Sequence, residues 1–378
     1  MIRGDIIKGV RLVVLLLLGI IIFIIGFLFY NNKFIKDETI YYELINSYDY
    51  DGNDIVSVGV DNNNDKGLDK GIISIYNDKF KKTKEKIFNI GNSSIFNKVI
   101  SLDDGYLIVG NINKFKTNKG IIVKYNKKLE IEYTKENKYD SIYYDIKKYN
   151  DNYIICGYSN HKGYILIIDK NGKKIKSKDL DDNTIFNEIF IYDNDIFVVG
   201  SKDKNKGIIY KLDENLEVIN SNYYNNTDED GFTSIVYLND NLYISLNNKT
   251  KEEDIDASII RYDYNLNYID ELVYNNKEHE KFVKLISDED KVIAIGNVSN
   301  NTNRDLKEFN YDGIIASYDI KLENFSVEYY GNELNNEFIT DIKKYKDGFL
   351  AITYSNIEDG SLLSKFININ KALKVEDA

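Results

Sequence analysis

Seven times along this chain a short apolar strand, usually ending in Gly, is followed about ten residues later by a second strand opening on Lys-Gly or Asp-Gly. The first strands read IVSVG (55 to 59), LIVG (107 to 110), IICG (154 to 157), FVVG (197 to 200), YISL (243 to 246), VIAIG (292 to 296) and LAIT (350 to 353). The second read KGIISIY, KGIIVKY, KGYILII, KGIIYKL, DASIIRY, DGIIASY and DGSLLSKF. Measured from the closing residue of the first strand (Gly59, Gly110, Gly157, Gly200, Leu246, Gly296, Thr353), the repeat advances by 51, 47, 43, 46, 50 and 57 residues. A period in this range, holding about four strand-like segments, predicts a β-propeller, because one four-stranded sheet cannot bury its own faces and must stack on neighbours. Shorter units would suit a parallel solenoid, and tandem sandwiches need about seven strands in about 100 residues before repeating. The expected fold is all-β, a seven-bladed propeller of four-stranded antiparallel blades over residues 41–378, preceded by one transmembrane α-helix.

The helix rests on Leu12 to Tyr30, nineteen residues of which sixteen are Leu, Ile, Val or Phe and none is charged. At about 1.5 Å per residue it would span roughly 28 Å, close to the ~30 Å hydrocarbon core of a bilayer. Phe27-Leu28-Phe29-Tyr30-Asn31-Asn32 offers no small-residue cleavage site, so a retained anchor is expected in preference to a removed signal peptide. Arg3, Lys8 and Arg11 precede the run, which places residues 1–11 in the cytoplasm and, after a linker over 31–40, the repeats outside. The expected location is the cell membrane, single-pass. Gly19 and Gly26, seven apart, read as ordinary membrane-helix glycines more readily than as a helix-pairing motif.

Beyond residue 30 the chain carries 46 basic and 60 acidic side chains, a formal charge of −14. Phosphate binding draws on clustered Lys and Arg, so this balance argues against nucleic acid and anionic wall polymers as main partners and leaves cations, neutral glycans and proteins. The one cysteine, Cys156, allows no internal disulfide; it stands in the apolar strand IICG and is expected to be a buried structural thiol. Pro and Trp are absent while Tyr numbers 32 and Asn, Lys and Ile are abundant. The favoured residues have A/T-rich codons, which points to a low-GC bacterium, so the missing Trp carries no functional meaning by itself.

Eleven positions before each anchor stand Tyr48, Val99, Ile146, Ile189, Ile235, Leu285 and Ile342, and just before them Ser47, Lys98, Asp145, Glu188, Ser234, Lys284 and Asp341. That apolar and polar alternation is expected of an innermost strand that packs on one side and meets water on the other. The anchor strand, apolar throughout, suits a position covered on both faces. The outermost strand is the weaker segment, for example Leu129 to Thr134 or Glu217 to Asn220, and turn residues DDG (103 to 105), NDN (150 to 152), DND (193 to 195) and KDG (346 to 348) join the first strand to the second. Either Tyr41 to Leu44 or Lys371 to Val375 could supply the strand that closes the ring.

FNKVISLDDGYLIVGN (96 to 111) followed by KGIIVKYNKKLEIEY (119 to 133) resembles bacterial β-propeller repeats of the pattern F-x-S-V…DGGYIVVG…DGYIVKYDSNGNxxW. Similar stretches at 143 to 169, 186 to 213 and 338 to 366 extend the likeness over most of residues 41 to 378. The resemblance is to a repeat class and implies a surface or exported protein. The usual Trp of the fourth strand is missing, and blade five departs most, with Leu246 and Ala257 in place of two glycines.

No catalytic or cofactor motif accompanies the repeat. His161 (SNHKG) and His279 (NKEHEK) have no partner at a recognisable spacing and read as solvated loop residues. Carboxylates are too numerous for a glycosidase-type pair to stand out. Asp61 to Asp69 alternates oxygen donors as a calcium loop does, but its Gly falls one position late and no closing Glu follows; Asp49 to Asp54 and Asp228 to Gly231 fit plain turns equally well. No catalytic, cofactor-binding or metal residue is therefore assigned, and no cofactor is expected.

Loop length is more informative. The turns between first and second strands are short and uniform, whereas the second-to-third loops at 60 to 70, 111 to 118, 247 to 256 and 297 to 312 and the link NYYNNTDEDGF (222 to 232) are long and unequal. Repeat proteins collect insertions on their binding face. Tyr223, Tyr224, Phe309 and Tyr311 on that side could stack on sugars or peptides. The expected function is a non-enzymatic binding or protein-interaction module whose ligand is a protein or a neutral glycan; the alternatives are a surface glycan-active enzyme or a structural subunit of a membrane assembly.

Overall fold

The computed structural model describes residues 42–376 apart from 53, 63–67, 226, 250–254, 276–278, 300–310, 332–334 and 357–360. The expected tail, span and linker over 1–40 lie outside the described residues, among which no helix is long and apolar enough to cross a membrane. The chain divides into two units, Met1–Ile40 and Tyr41–Ala378, and every described strand belongs to the second.

The strands come in seven successive quartets. Blade one is β1 (Tyr42–Asp51), β2 (Asp54–Asp61), β3 (Lys70–Tyr76) and β4 (Lys82–Phe88); blade two is β5 (Ser93–Leu102), β6 (Gly105–Lys114), β7 (Thr117–Asn126) and β8 (Ile131–Glu136). Blade three is β9 (Ser141–Tyr149), β10 (Asn152–Ser159), β11 (Lys162–Ile168) and β12 (Lys174–Asp182); blade four is β13 (Thr184–Tyr192), β14 (Asp195–Lys202), β15 (Lys206–Leu212) and β16 (Val218–Asn225). Blade five is β17 (Thr227–Leu238), β18 (Asn241–Lys249), β19 (Ile255–Asp263) and β20 (Tyr268–Tyr274); blade six is β21 (Glu280–Asp288), β22 (Lys291–Ser299), β23 (Tyr311–Asp319) and β24 (Phe325–Tyr330). Blade seven is β25 (Glu337–Tyr345), β26 (Gly348–Asn356), β27 (Leu362–Ile369) and β28 (Val375–Glu376). Each is an antiparallel meander, and its first strand touches the first strand of the next blade, from β1 through β25 and back to β1.

Both segments that the sequence offers for closure are used, on one strand. β28 pairs antiparallel with β27 at Asn368 and Ile369, while the start of β1 pairs parallel with it at Leu362 and Leu363. The amide of Ile45 also donates to Ser364 Oγ at 2.9 Å, and the Tyr48 hydroxyl donates to the carbonyl of Leu350.

The seven apolar inner-strand residues are all buried, Tyr48, Val99, Ile146 and Ile189 completely. Just before them the pairing of every inner strand slips by one residue, at Asn46, Asn97, Tyr144, Asn187, Thr233, Val283 and Thr340. Such a bulge bends the strand toward its partner. The bend explains the anchor glycines: a Cβ on Gly110 would collide with the carbonyl oxygen of Ile95, and one on Gly59 with that of Leu44. In blade five, where Leu246 replaces the glycine, the inner strand leaves its partner between Thr227 and Phe232 and turns at Gly231 (φ 66°), which diverts the carbonyl. The bulged side chains then bind the next blade. Asn46, Asn97, Asn187 and Thr233 donate to the carbonyls of Phe96, Tyr143, Phe232 and Phe282 at 2.8 to 3.0 Å.

Several expectations are corrected. Residues 111 to 118 are no loop: β6 and β7 continue to a two-residue turn at Phe115 and Lys116, both with positive φ. The 222 to 232 link is likewise mostly strand, since β16 runs to Asn225 and β17 starts at Thr227. The outer strands begin later than expected, at Ile131 and Val218, because Leu129 and Leu216 take positive φ in the preceding turns and are buried there.

Candidate functional site

The polar side of the inner strands does not simply meet water. Asn46, Lys98, Asp145, Glu188, Thr233, Lys284 and Thr340, from all seven inner strands, surround a channel cavity of about 150 Å³. Convergence of seven strands leaves little room for solvent, so the charges neutralise one another. Glu188 is paired with Lys284 and accepts from Ser234 Oγ at 2.6 Å and the Ile235 amide at 3.2 Å. Lys147 lies 3.5 Å from Asp145 and 3.6 Å from Glu188, and Lys98 lies 3.4 Å from Asp341. Burial pushes Glu188 upward, but Lys284 and Lys147 outweigh it and hold the carboxyl at about 2. Asp341 is likewise held down against burial, by Lys98, Lys284 and Lys343. Ion pairs in such a place require these partners, because an unpaired buried charge is far costlier than a paired one.

Cys156 is buried under this layer, as expected, with Sγ 3.7 Å from the Phe186 carbonyl; burial, then Asp145 and Glu188, push its thiol well up.

Above the channel, on the side of the second-to-third turns, lies a recess of about 610 Å³ over blades three and four. Ile142, Tyr144, Tyr158 and Ile185 wall it, and Asp140, His161, Asn183, Asp203 and Lys204 stand at its rim. Tyr144, the bulged residue of β9, lines both recess and channel. The recess exists because blades three and four have the tight turns Asn160-His161 and Asp203-Lys204, all four residues at positive φ, while β6 and β7 of blade two run ten residues each to the exposed tip at Phe115. The two-residue turn of blade three matches the strand twist, and blade four closes in three residues, Asp203 to Asn205. The rim is rigid, since its turns are bonded to the links between blades. The amides of Asn160, Asn183, Asp203 and Thr227 donate to the carbonyls of Asp140, His161, Asn183 and Asn205 at 2.7 to 3.2 Å. Burial raises the Tyr144 hydroxyl to about 12, so it enters the recess as a neutral donor.

The residues singled out by loop length fare differently. Tyr223 and Tyr224 lie on the outer strand β16 and away from the recess: the Tyr223 hydroxyl donates to Asp181 at 2.8 Å and that of Tyr224 to Glu271 at 2.7 Å, and Tyr224 packs toward Phe232. Tyr311 opens β23 against Phe338, ring centroids 5.3 Å apart, and Phe309 lies outside the described residues. His161 reaches the recess rim, whereas the His279 carbonyl accepts from the Ser299 amide at 2.9 Å. Of the calcium-like runs, Asp69 accepts from the Tyr42 hydroxyl, residues 63–67 lie outside the description, Asp49 is 3.0 Å from Lys343, and Asp228 is 2.7 Å from Lys281. Among the described residues no group of three or more His, Cys, Asp or Glu is arranged to hold a metal ion.

No protein-family model and no curated protein sequence matches the chain. Solved structures do. The Dos1 propeller is similar over 85% of this chain and 91% of its own, at 11% identity and a TM-score of 0.52. The β-propeller domain of the Trilobed protease from Pyrococcus furiosus, described as having an open velcro topology, is similar over 87% and 93% at 11% identity and 0.51. A chain of the Mitotic Checkpoint Complex gives 86% and 87% at 10% identity and 0.55. At these identities the likeness shows the fold, a β-propeller.

Proposed function

We propose that this chain is a seven-bladed propeller held outside the cell membrane by its N-terminal apolar helix, and that it serves as a non-enzymatic binding module whose protein or neutral glycan ligand seats in the recess over blades three and four. The observation that carries this is the recess itself: two tyrosines and two isoleucines form its walls under a rim of hydrogen-bonding groups fixed by backbone bonds. Mostly apolar walls with a few placed polar groups characterise ligand sites. Tyrosine supplies wide contact at little entropic cost.

The channel carboxylates support binding in preference to hydrolysis. A general base must reach a substrate proton, and Glu188 and Asp341 are already engaged by lysines. A propeller of similar shape does occur in a protease, so the fold is open to both uses. The test is ligand capture by the full-length protein with Tyr158→Ala or Tyr144→Ala: capture lost with the melting transition retained supports the recess. Capture by both variants at wild-type strength contradicts it.

A further inference from the structure

The wedge between adjacent blades widens outward, and one residue closes it. That residue faces, across the third and fourth strands, the glycine of the Lys-Gly or Asp-Gly pair or, in blade five, Ala257 in its place. Phe88 faces Gly71, Tyr224 faces Gly207, Tyr274 faces Ala257 and Tyr330 faces Gly313, while Leu180 stands at the corresponding slip of blade three. Each reaches the next blade. Phe88 meets Phe96 at 5.1 Å, Tyr224 meets Phe232 at 6.4 Å and Tyr274 meets Phe282 at 6.0 Å, ring centroid to ring centroid. Leu180 and Tyr330 join the clusters that hold Phe186 and Ile339.

Blade two is the exception among these six. Its closing residue is Asn137, whose amide donates to the Gly120 carbonyl at 2.8 Å and whose side chain donates to Ser159 Oγ at 3.2 Å. With no large side chain there, a groove of about 520 Å³ opens between blades two and three. Tyr143 and Tyr164 lie in it as a stacked pair, centroids 6.3 Å apart and 17° from parallel.

Charge in the groove runs against the rest of the surface. Lys135, Lys138 and Lys174 line it, and none has a carboxylate partner among the described residues. Glu136 is already paired with Lys114 at 2.6 Å, which leaves Asp179 as the one opposing acid in the groove. Beside it β8, the outermost strand of its blade, pairs with β7 alone and leaves a backbone edge open to strand addition.

From the absent wedge, the stacked tyrosines and the unpaired lysines we infer that this groove is a second binding site, for an extended acidic peptide carrying one aromatic side chain. The aromatic ring replaces the missing wedge and meets the tyrosine pair, where aromatic contacts add to burial. The flanking carboxylates meet the three lysines, and complementary charge selects acidic over basic segments. This site is separate from the recess and stands whether or not the recess binds.

Fluorescein-labelled nonapeptides with one central Phe among Asp and Glu, titrated into the full-length protein in detergent and followed by anisotropy, test it. Binding is expected, at least tenfold weaker when the Phe becomes Ser or the acids become Lys. Asn137→Tyr, which restores the wedge, should abolish binding, and Lys138→Gln with Lys174→Gln should weaken it at least tenfold without moving the melting transition. Tyr158→Ala should leave it unchanged. No binding of the acidic peptide, equal binding of the basic one, or full binding by the double lysine variant overturns the inference.

Discussion

Phe366 of blade seven stacks on Phe80 of blade one, ring centroids 5.9 Å apart, and meets Tyr48 and Tyr76 edge-on at 5.4 and 5.1 Å. Across the seam, among the described residues, β1 pairs with β27 only at Tyr42 and Glu43, so this cluster, with that short parallel pairing, is what closes the ring. Phe366→Ala should cost about 3 to 5 kcal/mol, as large aromatic deletions in cores do. Urea unfolding checks it. Deleting Asp341 to Ala378 should go further and remove cooperative folding, since two blade faces would be uncovered; a truncated chain that still melts cooperatively would show that the ring is dispensable.

Glu188 gives the fold a dependence on acid. Its folded value of about 2 lies below the ~4.3 of an unfolded glutamate. A depressed carboxyl stabilises the fold fully above its unfolded value and loses that contribution as pH falls through the folded one. Stability of the native protein should therefore fall between about pH 5 and pH 2, and Glu188→Gln should flatten that slope. At pH 7 the same change removes the carboxylate paired with Lys284 and leaves Lys147 with Asp145 alone, at a cost of about 3 to 5 kcal/mol. Melting curves across pH measure both effects; an unchanged slope would show that Glu188 is not the anion described.

The anchor glycines carry a steric prediction. Gly110→Ala puts a methyl group against the Ile95 carbonyl, and should destabilise by about 1 to 3 kcal/mol or more, as overpacking does. A neutral result in thermal unfolding would mean that the bulge at Asn97 relaxes freely.

Much of this was legible in the sequence, and the misses have causes. The alternation ending at Tyr48, Val99 and Ile146 marks the packed side of the inner strands, because strand periodicity survives into three dimensions. The bulges were not legible, since a one-residue slip leaves the spacing between glycines intact. Strand alternation alone turns Lys98, Asp145 and Glu188 toward water, but sequence gives no distance between one inner strand and another. Long loops point to Tyr223 and Phe309, whereas the recess lies where the second and third strands are short. One signal for it was present: the repeat's smallest step, 43 residues, runs from Gly157 to Gly200, between blades three and four. Asn137 could be recognised as exceptional only once the strand register had aligned it with Phe88, Tyr224 and Tyr274.

The membrane reading rests on Leu12 to Tyr30 and has its own test. The full-length protein should remain in membranes after alkaline carbonate washing, and protease added to wall-stripped cells should remove the propeller. Recovery of a soluble form beginning near Asn31 would instead show cleavage.

Ligand binding in the recess over blades three and four can be read at a single residue. The most direct measurement places a photo-crosslinking phenylalanine analogue at Tyr158 in the full-length protein, exposes it to cell-surface proteins and glycans, and repeats the capture with Tyr144→Ala and with changes at Asp103-Asp104 and Asn150-Asp151 on the opposite face. The expected result is an adduct at position 158 that is lost with Tyr144→Ala at an unchanged melting transition and kept in the opposite-face variants, because exposed turn changes cost little stability. An adduct that survives Tyr144→Ala and disappears with the Asp103-Asp104 or Asn150-Asp151 changes would place recognition on the other face and contradict it.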